Sequence, residues 1–211
     1  MGRPPPLYAI CDTDVCRRAG WRVVDLASAC LEGGARFLQI RAKDLAGGAF
    51  LETAAAVVER ARAVGALVVV NDRADVARLA RAGGVHVGQD DVSPEAARKI
   101  AGDAACVGLS THTPAQLNEA LASPLDYVAV GPVFATSTKT TGFDPVGLAG
   151  VKAAAARTSP RRLPLIAIGG ITLDRAGAVI AAGADSVAVI SDLLAGGDPT
   201  ARVRAWLDAL S

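Results

Sequence analysis

The stretch Arg81-Ala82-Gly83-Gly84-Val85-His86-Val87-Gly88-Gln89-Asp90-Asp91-Val92-Ser93-Pro94 holds one complete structural unit. Its first four residues read as a helix end, where glycine supplies the left-handed backbone that stops a helix. Val85–Gly88 is short and nearly continuous in apolar residues, as strands buried on both faces of a parallel sheet are. A polar tip follows at Gln89-Asp90-Asp91, and Ser93-Pro94 then sets a capping side chain before a proline, the usual start of a helix.

Working outward, the unit recurs. Buried-strand runs stand at Leu7–Cys11, Phe37–Arg41, Leu67–Asn71, Val85–Gly88, Cys106–Ser110, Tyr127–Gly131, Leu165–Gly169 and Ser186–Ile190. Glycine joints repeat at Glu32-Gly33-Gly34-Ala35 and Ala182-Gly183-Ala184. Helix starts repeat at Thr113-Pro114, Asp144-Pro145 and Asp198-Pro199, and Thr113 with Gln116 fits a capping box. Eight such units predict an α/β fold, a single (β/α)8 barrel of the TIM type with parallel strands, spanning residues 1–211 as one domain. The competing architecture is a doubly wound open sheet. The lack of G-x-G-x-x-G after the first run counts against its dinucleotide-binding version.

Composition narrows the partners. The 211 residues carry 22 basic and 21 acidic side chains, so no polyelectrolyte surface for nucleic acid or membrane is expected. No apolar run approaches the roughly 18–20 residues of a membrane span. Four cysteines (Cys11, Cys16, Cys30 and Cys106) lack C-x-x-C spacing, which together with the absence of a leader pattern suggests a reduced, cytoplasmic protein. Alanine occurs 44 times, as suits helices packed closely on a sheet. Exposed apolar helix faces could serve a homo-oligomer, but nothing specifies one.

In a barrel the chemistry sits at the carboxyl ends of the strands. Those ends carry Gln39, Arg41 and Lys43; Asn71 and Asp72; Asp91; Ser110; Thr136, Ser137, Thr138 and Lys139; Gly169-Gly170; and Ile190-Ser191. Arg41, Lys43 and Lys139 put three cations on one rim, facing the carboxylates Asp72 and Asp91. Adjacent carboxylates are costly unless protonated or bridged, and a hard ion such as Mg2+ fits that need. A diphosphate of about −3 with Mg2+, three cations and two carboxylates sums to about zero, as a water-poor site requires. Gly169-Gly170 and Ser191, after the seventh and eighth runs, occupy the common barrel location for a phosphate monoester.

With these residues assembled, the chain resembles the thiamine phosphate synthase family. The motifs stand in order: Q-x-R-x-K at Gln39–Lys43, Asn71-Asp72-Arg73, Val87-Gly88-Gln89-Asp90-Asp91, Gly108-Leu109-Ser110, Gly131–Lys139, and Ile168-Gly169-Gly170-Ile171. The resemblance implies a transferase that joins an aminopyrimidine methyl diphosphate to a thiazole phosphate, releasing diphosphate through a pyrimidine carbocation. It assigns Gln39, Arg41, Lys43, Asn71, Ser110 and Lys139 to the pyrimidine diphosphate, with Arg41, Lys43, Ser110 and Lys139 catalytic. Asp72 and Asp91 are assigned to Mg2+, and Thr136, Ser137, Thr138, Gly170, Ile190 and Ser191 to the thiazole phosphate. Thr136–Phe143 reads as a closing lid.

Two departures stand out: Ala135 replaces the family's usual proline, and Asp192 follows Ser191 where a small residue is usual. Asp192 would repel the phosphate if it faced the site and be harmless if turned aside as a cap. The thiazole tautomerase branch of the family is a rival function, disfavoured by the second aspartate, Asp91. Another rival is a phosphate-binding isomerase or lyase, for which no acid–base pair is found on the rim. A non-catalytic sensor of thiamine precursors is the third. Among single residues, Arg73 and Asp90 read as ion-pair or capping residues, and Cys106 as a packing residue. His86 reads as a satisfied core histidine, and His112 as near the rim without a needed role.

Overall fold

A computed structural model describes residues 4–136, 138 and 142–211. Eight parallel strands close on themselves in chain order. They are β1 (Leu7–Asp12), β2 (Phe37–Arg41), β3 (Leu67–Asn71), β4 (Gly84–Val87), β5 (Cys106–Thr111), β6 (Tyr127–Val130), β7 (Leu165–Ile168) and β8 (Ser186–Val189). Each lies within one residue of its expected run. Closure comes from β1 against β8, in the register Leu7 to Val187 and Ala9 to Val189.

Helices α1 (Thr13–Arg18), α2 (Val23–Glu32), α3 (Gly47–Ala63), α4 (Ala74–Leu79), α5 (Pro94–Ala101), α6 (Pro114–Ala120), α7 (Gly147–Thr158), α8 (Ala176–Ala181) and α9 (Pro199–Ala209) ring the barrel. Their inner faces are the alanine surface the composition anticipates: Ala54, Ala61, Ala97, Ala120, Ala154 and Ala176 are all buried. Small side chains let helix axes approach the sheet closely. A short 3-10 turn at Ser191–Leu194 links β8 to α9.

The helix starts mostly follow the sequence reading. Ser93, Thr113 and Asp198 each accept a hydrogen bond from the backbone N–H three residues on. Gln116 reaches back as a capping box requires, but to the N–H of His112 (2.7 Å) rather than that of Thr113. Asp144-Pro145 is a correction. It does not open α7, whose first residue is Gly147 and whose N-terminus has no side-chain cap. That entry is held by backbone bonds instead, Val146 N–H to Pro132 C=O (2.8 Å) and Gly147 N–H to Val133 C=O (3.0 Å).

The opening joint also differs in detail. Its left-handed residue is Arg81 (φ 55°), not a glycine. Gly84 is needed for space: a Cβ there would stand 2.3 Å from the carbonyl oxygen of Cys106 on the paired strand. Gly84→Ala should therefore cost about 1–3 kcal/mol of stability, as overpacking does. Urea unfolding of the two proteins measures it, and an unchanged midpoint would contradict the contact.

Candidate active site

Inside the barrel a small cluster separate from the outer core fills the lumen: Tyr8, Ile10, Phe37, Val69, Cys106, Tyr127, Ala129, Ile166 and Ala188. Tyr8 stacks flat on Phe37, with centroids 3.7 Å apart and planes 7° apart. Tyr127 meets both edge-on, and its ring fits only because Gly108 has no Cβ, which would otherwise lie 2.0 Å from Cζ. Cys106 packs here as expected, its thiol pushed up to about 12, first by burial. These rings form the floor on which the site rests.

Above the floor a narrow recess is lined by Tyr8, Gln39, Arg41, Asn71, His86 and Ser110, with apolar walls from Ile168, Ala188 and Ile190. It adjoins a larger cavity of about 330 Å³, lined by Ser110, Thr136, Thr138, Gly170, Ile190 and Ser191 among others. Ser110 borders both. Thr138 Oγ1 lies 3.1 Å from Ser191 Oγ, tying the loop after β6 to the turn after β8.

At the mouth of the recess, Arg41 forms an ion pair with Asp12 at the end of β1. Asp12 is 4% exposed and also caps α1 by accepting from Val15 N–H (2.9 Å). Asp12 adds a charge to those expected on the rim, and its signal in the sequence is its place at a strand's carboxyl end. It corrects the charge count, since Arg41 arrives already paired and the full set sums to about −1 rather than zero.

Lys43 Nζ lies 3.1 Å from Asp72. Asp72 occupies left-handed backbone (φ 63°) and is not a helix cap, since α4 begins after Arg73 without side-chain capping. Burial raises its pKa first, the neighbouring Asp91 carboxylate raises it further, and Lys43 opposes both. Asp91 is exposed and accepts from Gly88 N–H (2.7 Å). Two adjoining carboxylates with one lysine are under-neutralised, and two oxygen ligands suit a Mg2+ ion that fills its remaining positions with water and phosphate oxygens. Among the described residues no cluster of three or more His, Cys, Asp or Glu is assembled.

Arg73 pairs with Asp75 in a two-pronged contact (2.8 and 2.6 Å), a structural role. The Asp192 carboxylate is turned aside, held by Arg202 (2.8 and 2.7 Å) and Trp206 Nε1 (2.8 Å). His112 lines the larger cavity and stacks on Phe143 at 4.5 Å. His86 is a satisfied interior histidine, as read: Nδ1 lies 2.9 Å from the Tyr127 hydroxyl and Nε2 lies 2.8 Å from Ser110 Oγ. Ser137 and Lys139, and with them part of the Thr136–Phe143 stretch, lie outside the described residues.

The fold is a (β/α)8 barrel whose strand ends gather charged and polar side chains around two adjoining recesses. The sequence profile described as Thiamine monophosphate synthase matches residues 7–193, so the chain belongs to that family. It is 43% identical to Thiamine-phosphate synthase of Koribacter versatilis over 98% of this chain and 96% of that protein. Thiamine-phosphate synthase of Roseiflexus castenholzii is 40% identical over 96% of this chain and 86% of the other. The solved thiamine phosphate pyrophosphorylase of Pyrococcus furiosus superposes with a TM-score of 0.87 at 30% identity, covering 98% of this chain and 95% of that one. The chain is a transferase of thiamine biosynthesis.

The Asp12–Arg41 pair yields a test. Asp12→Asn can keep the cap on α1 but leaves Arg41 without its counter-charge. Breaking a largely buried pair should cost about 2–4 kcal/mol, at the lower end because Arg41 keeps some solvent contact. Urea unfolding reads the loss, and wild-type stability would show the pair to be inconsequential.

Proposed function

We propose that the two adjoining recesses hold the two substrates of thiamine phosphate formation, with Ser110 at their junction. Gln39, Arg41, Lys43, Asn71, Ser110 and Lys139 bind the aminopyrimidine methyl diphosphate, and Thr136, Ser137, Thr138, Gly170, Ile190 and Ser191 bind the thiazole phosphate or its carboxylated tautomer. The observation that carries this reading is the shared wall. One recess is lined by Gln39, Arg41 and Asn71 and the next by Thr136, Thr138, Gly170 and Ser191, and both touch Ser110. Residues 1–211 act as one catalytic domain, in the cytoplasm, on small-molecule substrates.

The reaction breaks the bond between the pyrimidine methylene carbon and the diphosphate oxygen, and the electron pair leaves with diphosphate. The thiazole nitrogen then donates its lone pair to the cationic methylene carbon. Arg41, Lys43 and Lys139 oppose the negative charge that grows on the leaving group, which lowers the barrier most when the cations are held in place beforehand. Asp12 does that for Arg41. Asp72 and Asp91 would hold Mg2+, whose charge offsets that of the departing diphosphate. Ile168, Ala188 and Ile190 wall the junction with apolar surface and keep water from the cation. Holding the nitrogen in line with the carbon supplies the rest.

Incubating the protein with both substrates and Mg2+ should yield thiamine phosphate and diphosphate by mass. Binding of either substrate without product would point instead to a sensor. Asp72→Ala and Asp91→Ala should each lower turnover at limiting Mg2+ by about 100-fold, and wild-type rates in both would refute the metal assignment. Arg41→Ala should damage use of the diphosphate substrate far more than binding of the thiazole phosphate.

A pH dependence follows as well. The folded-state pKa of Asp72 is raised. The strain of its ionised form is therefore absent in acid, grows as pH rises past the ordinary carboxylate value near ~4, and is complete above the raised value. Mg2+ should relieve that strain, so the Tm increment it confers should grow across the same pH interval in wild type. The interval should vanish in Asp72→Asn, and an increment independent of pH in wild type would contradict this account.

A further inference from the structure

A line of hydrogen bonds runs through the barrel from Gln39 to Ser110, and counting its protons gives it a direction. Gln39 donates from Nε2 to the Tyr8 hydroxyl oxygen (2.8 Å). The Tyr8 oxygen lies 2.9 Å from that of Tyr127. A phenol has one proton, and with Gln39 donating into Tyr8, the Tyr8 proton has Tyr127 as its acceptor. The Tyr127 proton then faces His86 Nδ1 at 2.9 Å. An accepting Nδ1 puts the proton of a neutral imidazole on Nε2, which is 2.8 Å from Ser110 Oγ. A ring protonated on both nitrogens would leave the Tyr127 proton without an acceptor in this line. Burial raises both phenol pKa values, so both keep their protons.

We propose that His86, held in its Nε2–H form by Tyr127, Tyr8 and Gln39, is a positioning residue that donates to one lone pair of Ser110 and leaves the Ser110 hydroxyl proton for the substrate. The Ser110 proton is thereby not taken by His86 and is available to donate, and the substrate atom that receives it is an acceptor, a ring nitrogen or a diphosphate oxygen. The buried aromatic floor thus does more than fill space. It transmits the orientation of one substrate residue, Gln39, to another, Ser110. This rests on the assignment of both residues to the pyrimidine diphosphate.

The tautomer can be read with no substrate present, so its outcome is separate from the functional reading. The sequence has two histidines, His86 and His112. Long-range proton–nitrogen correlation on the full-length, 15N-histidine-labelled protein, with His112→Gln for assignment, should show His86 neutral and protonated on Nε2. A proton on Nδ1 would mean that the line runs the other way, with Ser110 donating into His86, and would overturn the proposal.

Tyr127→Phe removes one hydroxyl and keeps the ring. It should release the tautomer preference and lower kcat/KM for the pyrimidine diphosphate about tenfold, the worth of one hydrogen bond. KM for the thiazole phosphate should stay unchanged. His86→Leu should show the same selective loss, and His86→Gln, which keeps a donor near Nε2, should recover most of it. Equal damage to both substrates, or no recovery by glutamine, would overturn the positioning role. A correct tautomer in a protein that makes no thiamine phosphate would instead count against the functional reading alone.

Discussion

Pairing of β1 with β8 closes the sheet, and closure constrains everything else. A closed eight-stranded barrel has no edge, and its lumen is only wide enough for side chains. Each strand must be apolar outward, toward the helices, and must also supply the filling inward. Here the filling is aromatic: Tyr8 on Phe37, with Tyr127 set across them over Gly108. Above that floor, at the carboxyl ends of the strands, lie the two recesses.

The charges follow from the same geometry. Strand ends bring Asp12 against Arg41 and Lys43 against Asp72, so a chain of near-zero net charge is locally paired rather than locally neutral everywhere. What remains is an excess of carboxylate at Asp72 and Asp91, which a divalent cation would relieve. Asp192 shows the opposite solution. Its carboxylate is held by Arg202 and Trp206, so this charge is paired although Asp192 borders the larger cavity.

Much of this was legible because βα units are written locally. A buried parallel strand, its polar tip and the next helix start occupy some fifteen consecutive residues, as Arg81–Pro94 illustrates, and periodicity reports them without tertiary knowledge. Local rules failed where a distant group took over. Asp144 does not cap α7 because backbone from the loop after β6 holds that entry. Gly84 is glycine because Cys106 lies across from it, while the left-handed turn it was credited with falls on Arg81. The partner of Asp12 is not legible locally, because it is Arg41 on the adjacent strand.

The sequence by itself determined the eight-fold alternation and the polar strand ends, since each depends on neighbours within a few positions. Only the tertiary structure decided which of those residues meet. That Gln39, Tyr8, Tyr127, His86 and Ser110 form one hydrogen-bonded line follows from no spacing, because its members come from five different strands. His86 read from sequence as a core residue and is one. The fold adds what its two nitrogens face, and a histidine's role is set by those two contacts.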